Sequence, residues 1–314
     1  MPQSTDYTSI MSLISSPRIN SYRVTFRTSG DAELYGIYVW AQHASASLYP
    51  LTQNLEIALR NAIDQEARRR FGSFWWKRIG HSVNHQSHFF MSNIQKAEGK
   101  LSRDWEKIIR AQLRLPARAP ISIPTPVWTH DQIVAATDFS TWQFILVDAF
   151  NASTPANHPG YLWPVSLSRV FKNYAIINSN QSGVRKNIID LVKELRDYRN
   201  RLFHHEPLWT KGPAVVDART AIDTIRRKIN KIELLLNAID SRQLSILSKV
   251  GLLRHARRVC SEEELSIYRY NHVEGAMTQR KKRVLRSMTT YVNHKNVTTA
   301  WAYGGSLYGI YKIR

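Results

Sequence analysis

Cysteine is almost absent from this chain. Cys260 is the only one in 314 residues, which excludes an internal disulfide and any cysteine-based metal cluster. No apolar run approaches the roughly 18 residues that a membrane helix needs. The amino terminus, Met1-Pro-Gln-Ser-Thr-Asp6, lacks the basic start and apolar core of a signal peptide, so a cytoplasmic location without a membrane partner is expected. A glycine-rich phosphate loop, a paired-aspartate metal site, a serine-nucleophile elbow and internal repeats are missing too. His81, His85 and His88 cluster in sequence, but no cysteine or acidic partner accompanies them, so no metal and no cofactor is implied. Acidic side chains are scarce: 24 Asp and Glu against 44 Lys and Arg leave a net charge of +20. Such an excess favours polyanionic partners, nucleic acid first, although a basic surface also serves solubility or acidic proteins.

The residues that are present make a folded, helical chain. The apolar fraction of 43% is that of a protein with a core, not of a disordered one. Ser16-Pro17 reads as a helix start, and Ser29-Gly-Asp-Ala-Glu33 as a capping box with Ser29 at the N-cap. The next helix runs through Leu34, Ile37, Tyr38 and Ala41, until Pro50 is expected to break or kink it. A second helix runs from about Leu51 to Arg70 and stops at Gly72. Phe74-Trp-Trp76 reads as a packed aromatic corner, and His85–Leu101 as a helix burying Phe89, Ile94, Ala97 and Leu101. Residues 113–127, with four prolines, form an extended connector. Asp131–Ala136 and Phe139–Val147 come next, then a polar loop at Asn151–Pro159 and a short helix from Trp163 to Tyr174 exposing Arg169 and Lys172. From about Ser182 a long helix buries Ile188, Leu191, Val192, Leu195 and Tyr198, and Pro207 limits it. Ala214–Lys249 is another, striped by Ile222, Ile225, Ile229, Ile232, Leu235 and Leu236 and expected to pack on the helix before it. Long helices without an alternating strand run predict an all-α fold.

The chemistry concentrates at the end of the helix from Ser182. Arg199 is followed by Asn200, and His204 comes after four intervening residues. Arginine offers a planar fork of donors to phosphate oxygens, and histidine exchanges a proton near neutral pH. This Arg-polar-x3-His core resembles the HEPN ribonuclease motif, and Leu195–Trp209 is similar to the matching segment of the Abi-like (abortive infection) proteins of bacteria. Two further strings resemble that family in the expected order. One is Leu55-Glu-Ile-Ala-Leu-Arg-Asn-Ala-Ile63. The other is Thr137-Asp-Phe-Ser-Thr-Trp142, which has Ser140 where the family usually carries glycine. The resemblance covers roughly residues 30–250 and implies a HEPN-like helical bundle with additional helices. Residues 1–250 are therefore expected as one helical domain and 251–314 as a basic, aromatic-rich carboxy-terminal extension.

By that resemblance the chain is a metal-independent endoribonuclease. It would act in antiphage abortive infection or as the toxin of a toxin–antitoxin pair, with an RNA or protein antitoxin. Two copies of the motif meet across a homodimer in such enzymes. His204 shuttles protons between the 2′-hydroxyl and the leaving oxygen, Arg199 steadies the charged transition state, and Asn200 orients the histidine or a phosphate oxygen. Asn200 and His204 share a helical face, whereas Arg199 stands about 140° from His204 around a regular helix. His205 is an adjacent alternative to His204, and Glu206 is placed to orient either ring. Glu56 and Arg60 are four apart and either pair on the surface or, with Asn61, line the cleft against Arg199. Arg185, Lys186 and the run Arg280-Lys281-Lys282-Arg283 are candidate RNA contacts, the latter equally readable as a solvated basic tail. The rivals are an RNA-binding protein that does not cut and a protein-binding module whose Arg199 and His204 merely complement a helix dipole.

Overall fold

The computed structural model describes residues 6–116, 118–209 and 217–269, the single positions 283, 286, 289 and 290, and residues 299–303 and 306–310. One compact unit comprises residues 1–270 and a second comprises 271–314. In the first unit every regular element among the described residues is helical. It opens with α1 (Thr8–Ser12) and α2 (Ser16–Phe26), where Pro17 occupies the first turn and its missing amide costs no intrahelical bond.

The organising element is α3 (Asp31–Phe71), 41 residues and about 60 Å long. Its N-cap is Gly30, one residue later than expected. The Glu33 carboxylate accepts bonds from both the amide and the hydroxyl of Ser29 at 2.8 Å, and so holds Ser29 outside the helix. The expected break at Pro50 does not occur: α3 runs through it. A proline inside a helix costs about 3 kcal/mol. Leu48, Leu51 and Leu55 around it are completely buried, and each contributes about 1.5–3 kcal/mol by burial, which outweighs that cost. Gly72 ends the helix at φ +79, a conformation that favours glycine.

The aromatic corner forms as expected. Trp75 and Trp76 are buried, and the Trp75 indole donates to Asp64 at 2.8 Å. Helix α4 (His85–Gln112) runs further than Leu101, capped by the Asn84 side chain, with Phe90 rather than Phe89 as its fully buried aromatic. The described residues of the proline-rich connector carry no regular helix and lead to α5 (His130–Ala136) and α6 (Phe139–Phe144). The helix expected over Trp163–Tyr174 shrinks to the single turn α7 (Leu167–Val170), because Trp163 is drawn into the core, its indole donating to the Ile145 carbonyl at 2.7 Å.

Helix α8 (Gln181–Phe203) buries the predicted stripe and packs on α9 (Ala218–Ile239). Glu194 fastens the pair by accepting bonds from Lys228 and Lys231. The helix expected to continue to Lys249 is broken at Asp240. That residue is extended, and its carboxylate caps α10 (Ser241–Lys249) by accepting from the Arg242 amide at 2.9 Å. Helices α11 (Leu252–Val259) and α12 (Glu262–Arg269, begun at Ser261) then pack onto α3, so the helical body extends past residue 250. Trp40 on α3 donates to the Val259 carbonyl at 2.8 Å, and Arg269 meets Glu33. In the second unit, β1 (Thr299–Tyr303) pairs antiparallel with β2 (Ser306–Ile310), with Tyr303 opposite Ser306. The all-α expectation therefore holds for the first unit, with a hairpin added beyond it.

Candidate active site at the end of helix α8

The end of α8 is shaped by the segment that succeeds it. Leu208 and Trp209 are buried, and Trp209 packs edge-on against Tyr22 and Phe26 while its indole donates to Thr25 at 3.2 Å. This plug pins the chain to α2 and α3 and leaves residues 203–206 as an exposed turn. The helix stops by backbone bonding: the His205 amide donates to Leu202 at 3.3 Å and the Glu206 amide to Arg201 at 3.0 Å. His205 itself is left-handed, with φ +55. This is the Schellman arrangement, in which backbone amides satisfy the last carbonyls and the left-handed position usually belongs to glycine. The termination of α8 thus does not depend on the side chains of Arg199 and His204.

Arg199 points across to α3. Its Nε lies 3.4 Å from the Glu56 carboxylate, its guanidinium sits 4.3 Å over the Phe203 ring, and Nη1 donates to the Asn200 side chain at 3.3 Å. The ion pair is not aligned as a hydrogen bond, and the buried Nε has no hydrogen-bond acceptor. Among the described residues the Asn200 bond is the only hydrogen bond of this guanidinium, which leaves donors for a phosphate. Glu56 is two-sided. Burial pushes its carboxyl above the usual range, while Arg199 and Arg60 pull it down and Asp138 pushes it up again. Burial is the largest of these effects, so the carboxyl holds its proton more firmly than an exposed glutamate.

Three stretches far apart in sequence come near one another here. Glu56 comes from α3, Arg199 from α8, and Asp138 from the cap of α6, where it accepts from the Thr141 amide at 3.0 Å. Ser140 donates to Asp138 at 2.6 Å and accepts from Asn93 at 3.0 Å. The other candidate residues are distributed differently. Arg60 turns to Asn61 at 3.4 Å, and Glu56 takes Arg199 as its ion-pair partner. Asn61 lies on the wall of a separate cavity of about 760 Å³, with Arg69, Arg169 and Lys172. His204 is exposed; its backbone carbonyl accepts from Arg18 at 3.5 Å, and no hydrogen bond or ion pair reaches its ring among the described residues. Glu206 pairs with Arg201 at 3.6 Å rather than with a histidine. Arg185 is engaged within the protein by the Leu146 carbonyl and the Asp148 carboxylate, whereas Lys186 is exposed. Arg280, Lys281 and Lys282 lie outside the described residues, and Arg283 is exposed.

Sequence reasoning missed Arg18, Phe203 and Asp138 as neighbours of the motif. Phe203 had a local signal, standing four positions after Arg199, the spacing at which a cation reaches a ring on the same helix face. Arg18 and Asp138 had none, because tertiary packing alone brings them near. No group of three or more histidine, cysteine or acidic side chains able to hold a metal occurs among the described residues. Nor is any described helix long and apolar enough to cross a membrane. Comparison with protein-family models, curated proteins and solved structures gave no match.

Proposed function

We propose that the chain is a metal-independent endoribonuclease of the HEPN type. One observation carries the proposal: Arg199, with phosphate donors unspent, and the exposed His204 stand at the end of α8, where Arg199 meets Glu56 of α3 and the His204 carbonyl meets Arg18 of α2. In this reading the 2′-hydroxyl of RNA is the nucleophile, so the chemistry needs no metal. His204 takes the hydroxyl proton and returns one to the leaving 5′-oxygen. Arg199 neutralises charge that develops on the phosphoryl oxygens. Asn200 acts on Arg199, holding its guanidinium rather than the histidine ring. Glu56 and Phe203 keep the arginine partly desolvated, which strengthens its pull on a phosphate. The protein works as a homodimer, because Arg199 turns toward α3 and a second motif supplies the groups that one motif lacks. Its setting is bacterial antiphage defence by abortive infection or a toxin–antitoxin pair, in the cytoplasm.

The second reading, RNA binding without cleavage, draws on the same Arg199 geometry: within one chain the arginine is paired with Glu56 and not with His204. A single experiment separates the two. Wild type and His204→Ala are incubated with labelled tRNA and a structured RNA in EDTA. Cleavage by wild type alone, leaving a cyclic-phosphate end, is the expected result. Tight, salt-sensitive binding by both proteins without cleavage gives the case to the second reading. Equal cutting by both removes His204 from the mechanism.

A further inference from the structure

Beside the motif, α2, α3 and the turn after α8 enclose a groove of about 710 Å³, within the range of ligand sites. We infer that it receives one unstacked nucleobase of an RNA strand, an inference that rests on RNA being the partner of the neighbouring motif. Its walls are aromatic. Tyr49 and Phe203 remain 45% and 43% exposed, with ring centroids 5.3 Å apart and planes at 56°, and Tyr38 stands one wall further along α3. Small residues on α3, Ala41, Ser45 and Ala46, leave the space between those rings. Two aromatic faces left this open cost apolar exposure, and a planar base covers them by stacking.

Polar groups sit where a nucleotide needs them. Gln42 offers an amide donor and acceptor to a base edge, and the Glu206 carboxylate offers acceptors. Arg18 brings a guanidinium to the lining, anchored to the His204 carbonyl by one of its donors, and the others suit a phosphate. Phe203 joins the groove to the motif: it lines the groove, and the Arg199 guanidinium lies over its ring. A base stacked here therefore belongs to a nucleotide adjoining the phosphate held by Arg199. An aliphatic ligand would use the aromatic walls but not Arg18 or Gln42, and a phosphate alone would leave the rings uncovered.

The test measures binding apart from cleavage. A short 2′-fluoro RNA, which lacks the nucleophile, and the same backbone stripped of bases are titrated against wild type, Tyr49→Ala and Tyr49→Phe. Tyr49→Ala is expected to weaken binding of the base-bearing strand about tenfold, and Tyr49→Phe to match wild type, because the ring and not the hydroxyl does the stacking. The salt dependence stays the same in all three, since stacking releases no counterions. The stripped strand binds wild type and Tyr49→Ala alike. Equal affinity of Tyr49→Ala and wild type for the base-bearing strand overturns the inference, as does an equal loss on the stripped strand. Cleavage of ordinary RNA is scored separately. Tyr49-dependent binding without cleavage keeps the groove and removes the catalytic reading. Cleavage without Tyr49 dependence removes the groove alone, and no RNA binding at low salt removes both.

Discussion

His205 and Glu56 show how individual residues at the candidate site give up stability. His205 holds a left-handed backbone, which costs an L side chain about 1–2 kcal/mol, and it does so at the position where most helices use glycine. His205→Gly relieves that strain but loosens the unfolded chain, so a net gain of about 0.5–1 kcal/mol is expected in urea denaturation. A loss of stability would show that the ring makes contacts worth more than the strain. Glu56 has a raised carboxyl pKa, caused first by burial and only partly offset by Arg199 and Arg60. The folded state therefore binds the proton more tightly than the unfolded chain. The contribution of this group is complete below the ordinary glutamate value of about 4.3 and is lost as pH rises through the raised folded value. Wild type should lose stability relative to Glu56→Gln as pH rises above about 4, in denaturation series at matched salt. Parallel pH curves would mean that Glu56 is solvated as in the unfolded chain.

At the scale of elements, Asp240 separates two helices that periodicity alone would join. Its carboxylate caps α10 and holds Lys172 at 2.6 Å and Arg242 at 2.8 Å. Bonds from Arg242 and then Lys172 hold its pKa far below the carboxylate range. Asp240→Ala removes the cap and is expected to cost about 1 kcal/mol at neutral pH. A depressed folded pKa contributes stability above the unfolded value and loses it as pH falls. The difference between wild type and variant should accordingly shrink below about pH 4. A difference that stays constant down to the acid transition would assign the effect to helix propensity instead. A boundary set by one distinctive residue is legible in the sequence, as at Gly72. Boundaries are misread at Pro50, where burial of the flanking leucines carries α3 through the proline, and at Asp240, whose local cap lies inside a continuous apolar period.

Over the whole molecule, α11 and α12 complete the packing around α3, and the lone cysteine reports on that closure. Cys260 has no exposed surface, and burial pushes its thiol up to about 12, against a weaker opposing bond with Ser47. Thiolate is the reactive form, so a disulfide reagent should leave the native protein unlabelled and react once denaturant opens the carboxy-terminal helices. Rapid labelling in native buffer would show that α11 leaves α3 readily. Because this is the only thiol in the chain, the measurement needs no engineered variant. The net charge of +20 acts at the same scale, through long-range attraction to polyanions rather than through any one contact.

The helical class of the first unit, the buried stripes of α3, α8 and α9, the aromatic corner and the end of α3 can all be read from the chain alone. Those features are written in three- and four-residue spacing and in caps, which act between near neighbours. Arg199, Asn200 and His204 stand out there as the candidates for the phosphodiester chemistry proposed above, because side-chain chemistry is visible without coordinates. Tertiary packing is what turns Glu56 toward Arg199 instead of Arg60 and brings Asp138 near them. The unbroken path of α3 through Pro50 and the aromatic groove beside the motif were likewise settled by packing. Each of these depends on which faces of distant segments meet. That choice is made by the burial of the whole core, and no local pattern along the chain encodes it.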